Sequence, residues 1–157
     1  MDFGQIWQQY HQGIGRVVKS YEANHHEQQE LMQEIGLAVW RALPNCKDET
    51  KVKAFIYRIA HNQSVDHVTR QVKKPKTTDM DLELVVDDTS NTKLNAQQQK
   101  LLVAMRALPI NQKQVISLLF EGFSYQQIAE ITGLSNSNVG ALINRGKQKL
   151  QVNLNEQ

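Results

Sequence analysis

The sequence contains one cysteine, Cys46, and only three prolines among 157 residues. A lone cysteine excludes an intramolecular disulfide and a cysteine-ligated zinc cluster, and it fits the reducing conditions of a cytosol. No apolar run is long enough to span a membrane, and the opening MDFGQIWQQY has neither a basic leader nor an apolar signal core. These absences predict a cytoplasmic protein with no direct membrane insertion.

The chain also lacks a strong charge of either sign, because its formal net charge at pH 7 is +2. A strongly basic chain would indicate a polyanionic partner, so a nucleic-acid-binding function here must depend on where the charges lie. Apolar residues make up 40% of the chain and charged residues 22%. That balance is sufficient for a buried core in one or two small domains.

Signs of catalysis are equally sparse. There is no glycine-rich phosphate loop, and no serine or cysteine nucleophile stands beside a plausible base. His61 is five residues from Asp66 and six from His67, whereas ligands on one helix are spaced by three or four. We therefore predict no enzyme activity, no metal or other cofactor, and no small-molecule substrate. A metal-dependent helical hydrolase that uses these His and Asp residues stays open as an alternative.

Composition divides the chain into three segments. Residues 1–72 and 94–157 show helical periodicity, whereas residues 73–93 carry Pro75, several Thr residues and an excess of acidic side chains without a sustained period. We predict an all-α fold of two helical domains joined by an acidic flexible linker, with a helix-turn-helix in the C-terminal domain. The alternative for residues 73–93 is an ordered surface loop.

Three or four helices are predicted in the N-terminal domain. The first three lie over about residues 2–21, over about residues 27–43, and from near Asp48 or Thr50 onward. Pro44 ends the second, because proline cannot continue a helix. The apolar face of the third helix comprises Val52, Phe55, Ile56, Ile59 and Ala60. Its other face comprises Lys53, Tyr57, Arg58, His61, Asn62, Asp66 and Arg70, in which Asp66 and Arg70 have the spacing of a helical ion pair.

Helix start and stop signals recur in the C-terminal domain. Asn111 and Ser124 each precede a Gln by three residues, as in a capping box, and Ser135 is the predicted N-cap of the last helix. Gly133 supplies the positive φ that a helix-turn-helix needs, and Ala129 the small residue where its helices approach. The apolar residues expected to hold the interhelical angle are Ile128, Leu134, Val139 and Leu142. A plain helical hairpin in a bundle is the alternative.

If the last helix reads DNA, its N-terminal turns enter the major groove. Asn136, Ser137 and Asn138 can donate to and accept from base edges there, and asparagine pairs well with adenine. Arg145 and Lys147 lie further along the helix and are expected to contact phosphate or a flanking base. The alternative is a solvated basic helix end that complements the helix dipole.

Three motifs in order carry a family resemblance: ELMQEIGLAVWRAL, KVKAFIYRIAHNQSVDHVTRQ, and LPINQKQVISLLFEGFSYQQIAEITGLSNSNVGALINRGKQKL. Together they resemble the extracytoplasmic-function sigma factors of bacterial RNA polymerase, over nearly everything but the linker. The resemblance implies a factor that binds core RNA polymerase, recognises promoter DNA with both domains and assists strand opening. It also implies an anti-sigma factor as a partner. The rival hypothesis is a helix-turn-helix regulator that acts without polymerase.

The resemblance also assigns residues to three surfaces. The RNA polymerase-binding residues it implies are Leu31, Gln33, Glu34, Leu37 and Trp40. Those implied for the downstream promoter element are Asn45, Lys47, Tyr57, Arg58, His61, Asn62 and Arg70. Those implied for the upstream promoter element are Ser135, Asn136, Ser137, Asn138, Ala141, Arg145 and Lys147.

The sequence departs from the family pattern at two places. Gly36 stands where the family usually has a bulky aromatic residue, and residues 140–142 replace a basic-Ser-Arg run, which removes expected phosphate contacts. The inward stripe predicted for the second helix comprises Leu31, Met32, Ile35, Val39, Ala42 and Leu43. Leu37 and Trp40 fall off this stripe, which favours an exposed apolar patch that binds a partner. Core packing against the first helix is the alternative for these two residues.

Overall fold

The computed structural model describes residues 2–73 and 94–157, and the regular structure within these ranges is helical. All but the first residue of the predicted linker, residues 73–93, lie outside the described residues. Two short 3-10 helices, Leu43–Asn45 and Glu49–Lys51, connect the second and third α-helices. The α-helices are α1 (Phe3–Tyr21), α2 (His25–Ala42), α3 (Val52–Lys73), α4 (Ala96–Arg106), α5 (Ile110–Phe120), α6 (Tyr125–Thr132) and α7 (Asn136–Asn155).

Side-chain caps determine where most of these helices begin. The predicted caps Ser124 and Ser135 are confirmed, and Ser124 forms the full capping box with Gln127. The capping box predicted at Asn111 is wrong, because α5 begins at Ile110 and Asn111 lies inside its first turn. Its N-cap is Pro109, whose missing N–H costs nothing at a position where helical amides have no partner.

The core of the N-terminal half is formed by α1, α2 and α3. The predicted inward stripe of α2 is confirmed, since Leu31, Ile35 and Val39 are fully buried. They pack with Ile14 of α1 and Ile56 of α3 in one hydrophobic cluster. Burial of each such side chain stabilises the fold by about 1.5–3 kcal/mol relative to exposure.

Two residues predicted on the polar face of α3 are buried instead. Tyr57 is 2% exposed and His61 is fully buried, so that prediction is wrong for both. The physical reason is that α3 has neighbours on two sides: α1 and α2 cover one face, and α5 and α6 approach another. Arg70 forms its ion pair with Glu34 of α2, at 3.0 Å, and not with Asp66 as its spacing suggested.

The C-terminal half contains the predicted helix-turn-helix, formed by α6 and α7. Gly133 ends α6 with φ +78°, as its place in the turn requires. Further along α7, Gly146 lets the helix approach α5 closely, because a Cβ there would lie 2.7 Å from Ile116 Cγ1. The C-terminal half packs on the N-terminal half, with α4 against α1 and α6 against α3.

Across residues 2–73 and 94–157, no helix has the length and apolar character needed to cross a membrane.

Candidate functional site

An exposed apolar patch lies on α2, on the side away from its buried stripe. Leu37 is 47% exposed and Trp40 is 58% exposed. The prediction that they form an exposed surface patch is therefore confirmed, and the alternative that they pack in the core is wrong. Gln33 and Glu34 are exposed beside them. Leu31, by contrast, is fully buried and belongs to the core, so it can influence a partner only by supporting α2.

The glycine at position 36 has a structural explanation in the same patch. A Cβ on Gly36 would sit 3.4 Å from the ring of Trp7, which lies across that position. Trp7 in turn stacks on Phe3, with 5.8 Å between ring centroids. An aromatic ring from α1 therefore occupies the place of the aromatic side chain missing from α2, and the shallow cleft between α1 and α2 remains apolar.

The residues predicted for the downstream promoter element separate into two groups. Asn45 and Lys47 of the loop after α2, and Arg58, Asn62 and Arg70 of α3, are exposed. Arg58 and Asn62 are four residues apart and therefore lie on the same face of α3. These five side chains are available to a nucleic acid.

Tyr57 and His61 form the second group, because neither reaches solvent. The Tyr57 hydroxyl donates a 2.7 Å hydrogen bond to Glu121, and the ring packs edge-on against Phe123. His61 Nδ1 lies 3.1 Å from the hydroxyl of Tyr21. Burial lowers the pKa of His61 to about 3, so the ring is neutral at physiological pH and carries no charge for a phosphate. The structure does not bring these two residues to the surface that holds Arg58 and Asn62.

All the residues predicted for the upstream promoter element are exposed on α7 or at its cap. Val139, Ile143 and Gly146 form the buried side of α7, and the predicted residues lie outside that stripe. Ser135 accepts a hydrogen bond from the amide of Asn138, which leaves other amides of the first turn unpaired within the helix. The exposed predicted residues are Ser135, Asn136, Ser137, Asn138, Ala141, Arg145 and Lys147.

Sequence reasoning missed Tyr125 at the start of α6. Its side chain is 41% exposed, and its ring lies 3.7 Å from where a Cβ on Gly140 would stand. Tyr125 therefore belongs to the same surface as the start of α7. The signal in the sequence was an aromatic residue directly after the helix cap Ser124, a position that points outward at the start of an amphipathic helix.

Within the ranges that the structure describes, no three His, Cys, Asp or Glu side chains cluster so that they could hold a metal ion. His67, one of the residues considered for such a site, is buried and pairs with Glu22 at 2.8 Å. That contact joins α3 to the end of α1.

Two family models match separate parts of the chain. The model of sigma-70 region 2 matches residues 6–74, and the model of sigma-70 region 4 matches residues 98–150. The RNA polymerase sigma factor SigZ of Bacillus subtilis is 25% identical over 154 residues, which cover 96% of this chain and 86% of SigZ. The ECF RNA polymerase sigma factor SigM of the same species is 24% identical over 97% of this chain and 94% of SigM.

The fold is shared with a solved sigma factor. The sigma factor RpoE of Bartonella quintana, in complex with the anti-sigma factor NepR, superimposes with a TM-score of 0.77 at 19% identity. The match covers 98% of this chain and 97% of RpoE. At that identity the likeness shows a common fold, with the same order of helices along the chain.

Proposed function

The chain belongs to the sigma-70 family, as a sigma factor of the extracytoplasmic-function group, and on that basis we propose how its residues divide the work of promoter-specific initiation. It binds core RNA polymerase and directs it to promoter DNA. The proposal assigns residues 1–72 to polymerase binding and strand opening, residues 94–157 to the upstream promoter element, and residues 73–93 to the connection between them.

Polymerase contact is assigned to the exposed face of α2. The observation that carries this assignment is the exposure of Trp40 and Leu37, since large apolar side chains that remain in solvent mark a protein-binding surface. Gln33 and Glu34 flank them and supply polar contacts at the rim. Leu31 holds this helix to the core.

Promoter contact is assigned to two surfaces of modest charge. Arg58, Asn62 and Arg70, with the loop residues Asn45 and Lys47, face the single strand of the opened downstream element. The start of α7 enters the major groove of the upstream element, with Arg145 and Lys147 on its phosphates. That residue set is Ser135, Asn136, Ser137, Asn138, Ala141, Arg145 and Lys147. Polymerase joins both contacts in one complex, so neither needs high affinity alone.

The proposal includes no catalytic residue and no cofactor, because polymerase performs the chemistry. It places the protein in the cytoplasm, where polymerase and chromosome are. It also includes an anti-sigma factor as a regulator of this chain, supported by the likeness to RpoE, whose structure was solved with its anti-sigma factor NepR.

Run-off transcription with core RNA polymerase, on the DNA upstream of the gene that encodes this chain, tests the function. We expect specific transcripts with the wild type.

Trp40→Ala should weaken binding to core polymerase in a pull-down, because it removes the largest exposed apolar surface of the patch. The matched control is Val152→Ala, which removes apolar surface from another exposed residue, at the far end of α7. Absence of any association between the wild type and core polymerase would refute the proposed function.

A further inference from the structure

A glycine interrupts the apolar face that α2 presents to solvent. Gly36 lies three residues after Gln33 and four before Trp40, so it belongs to the same face of the helix but contributes no side chain to it. The six-membered ring of Trp7, from α1, covers this position, because three of its atoms would lie 3.4, 3.4 and 3.8 Å from a Cβ on Gly36. The surface between Gln33 and Trp40 is therefore aromatic, although the ring belongs to α1.

A second aromatic ring holds Trp7 in this position. Phe3, one turn earlier on α1, stacks on it with 5.8 Å between ring centroids and 17° between ring planes. Both side chains are half-buried, so part of each ring faces solvent. A stacked ring has already lost much of its side-chain freedom, so contact with a partner costs it little further conformational entropy.

The two rings belong to a shallow groove along the seam between α1 and α2. Phe3 meets Trp40 near one end and Gly15 meets Gln28 near the other, so the two helices are antiparallel. Adjoining hollows with shared lining residues extend the groove toward Pro44 and toward Gln28. Between Gln28 and Trp40 alone, α2 rises by about 18 Å, or about three helical turns. We call this feature the α1–α2 groove, and its central part is lined by Phe3, Trp7, Met32, Gly36, Leu37 and Trp40.

The shape and charge of the α1–α2 groove fit an amphipathic helix. A groove between two antiparallel helices accepts the apolar side chains that a third helix presents at successive turns. Met32, which lines it, has a flexible side chain that adapts to such a partner. Beside it, Glu30 and Glu34 are exposed and lie one turn apart on α2, so this edge of the groove is acidic. The groove therefore suits an apolar helix face that is flanked by basic side chains.

We propose that Trp7 is a polymerase-contact residue, supplied by α1 to the surface of α2, and that an amphipathic helix of core RNA polymerase with basic flanks lies against it in the α1–α2 groove. The inference rests on the proposed function, because that function assigns the exposed face of α2 to polymerase. Trp7 forms one continuous surface with Leu37 and Trp40, so a helix that covers those two residues also covers Trp7. Tryptophan is among the residues that contribute most to binding when they lie at the centre of an interface.

Truncation of the indole tests this contribution. Trp7→Ala should weaken binding of the labelled full-length chain to core polymerase by about tenfold, measured by fluorescence anisotropy. Tyr10→Ala is the matched control, because Tyr10 is also a half-buried aromatic residue of α1 but does not line the groove. Its affinity should match that of the wild type, and an equal loss in both variants would overturn the proposal.

A swap of the aromatic ring between helices guards against a simple folding defect. The double variant Trp7→Ala with Gly36→Phe places a ring on α2 where the indole of α1 lay, and it should recover most of the lost affinity. Circular dichroism and thermal unfolding compare the fold of the variants with that of the wild type. A double variant that folds like the wild type but binds as weakly as Trp7→Ala would contradict the proposal.

Photocrosslinking separates direct contact from mere support of α2. With p-benzoylphenylalanine at position 7, we expect a crosslink to core polymerase, within a helical segment that carries basic side chains. The same group at position 10 should give none. Absence of a polymerase crosslink at position 7, or a crosslink there only to a second copy of this chain, would overturn the inference.

Failure of this inference is distinct from failure of the proposed function. If the wild type does not bind core polymerase, the proposed function is wrong and the role of Trp7 falls with it. If the wild type binds and Trp40→Ala weakens binding while Trp7→Ala does not, the polymerase-binding face of α2 stands and only the contribution of α1 is wrong.

Discussion

His61 lies between α1 and α3 with no contact to solvent, and its Nδ1 atom is 3.1 Å from the Tyr21 hydroxyl. Burial lowers its pKa to about 3 from an ordinary value of 6.5, although the negative charge of Glu121 acts in the opposite direction. Its Nε2 has no hydrogen-bond partner among the described residues. The fold therefore disfavours the protonated form of the His61 ring, because the added charge would be buried without a partner.

This imidazole should make the fold sensitive to acid. Between pH 6.5 and 3 the unfolded chain takes up a proton that the folded chain does not, so the free energy of unfolding should fall on acidification. One such group contributes about 1.4 kcal/mol per pH unit within that range. Urea unfolding at pH 7.5, 6 and 5 measures the slope. His61→Gln should reduce the slope of the free energy of unfolding against pH, whereas His26→Gln, at an exposed position, should not. Equal slopes in both variants would contradict the prediction.

Asn62, the next residue, faces solvent and so reports on function. Asn62→Ala should impair formation of the open promoter complex by several-fold and leave binding to core polymerase unchanged, since the proposed role of this side chain is to bind unpaired bases only. Permanganate footprinting measures opening, and a pull-down measures binding. Gln63→Ala, at a half-buried neighbouring position, is the control. Loss of polymerase binding in Asn62→Ala would mean that this face contacts polymerase.

At the scale of elements, α5 and α7 cross closely at one glycine. Its position depends on Gly146, where a Cβ would approach two atoms of the buried Ile116 side chain, at 2.7 Å and 3.2 Å. The orientation of α7, whose first turn is proposed to enter the major groove, therefore depends on this crossing as well as on the turn at Gly133.

Gly146→Ala should destabilise the protein. The clash costs about 1–3 kcal/mol, which, except at the lower end of that range, exceeds the roughly 1 kcal/mol that alanine contributes over glycine inside a helix. Gly15→Ala in α1 is the matched control, because no heavy atom lies within 4 Å of its Cβ position, so only the helical gain remains. Denaturant unfolding should show opposite signs for the two variants, and a stabilised Gly146→Ala would mean that α7 can shift freely.

Positive charge can be added to α7 at residues 140–142, where this chain lacks the basic-Ser-Arg run of the family. Gly140→Arg should tighten binding to the upstream element and steepen its dependence on salt, because each added phosphate contact makes the slope of log K against log salt more negative by about 0.9. Electrophoretic mobility shift of the polymerase complex at several salt concentrations measures this. Gly4→Arg, on α1, adds the same charge far from α7 in the sequence and serves as the control. An unchanged slope would show that position 140 does not face the phosphates.

On the scale of the whole molecule, a net charge of +2 is compatible with DNA binding because polymerase brings both promoter-binding surfaces to the DNA. Two weak contacts joined in one complex give a combined affinity that neither surface has alone. In the proposed arrangement, the apolar patch on α2 is the contact on which the two DNA contacts depend.

This dependence predicts unequal effects of two substitutions. Trp40→Ala should reduce both binding to core polymerase and promoter-specific transcription. The reason is that the factor is proposed to contact promoter DNA only after it has bound polymerase. Asn136→Ala should reduce promoter-specific transcription by about tenfold, in line with about 1–3 kcal/mol for one good base contact, and should leave core binding unchanged. Loss of core binding in Asn136→Ala would contradict the division of labour between the halves.

The sequence by itself determined the local features of the helices: their caps, their turns and which of their faces are apolar. The caps at Ser124 and Ser135, the turn at Gly133, the inward stripe of α2 and the exposed pair Leu37 and Trp40 depend on residues within a turn or two of each other. Helix propensity, capping and periodicity act over that range, so the all-α fold and the helix-turn-helix could be predicted. The family resemblance added the order of the motifs and the function they imply.

Tertiary structure alone decided that Tyr57 and His61 are buried. A single helix pattern defines one buried face, but α3 meets the C-terminal half on a second face, and that contact joins residues more than sixty positions apart. The partner of Tyr57 is Glu121, whose sequence context, at the end of an apolar helix, gives no sign that its carboxylate is buried. Burial of a polar side chain depends on which distant donors surround it, and that geometry exists only once the helices have packed.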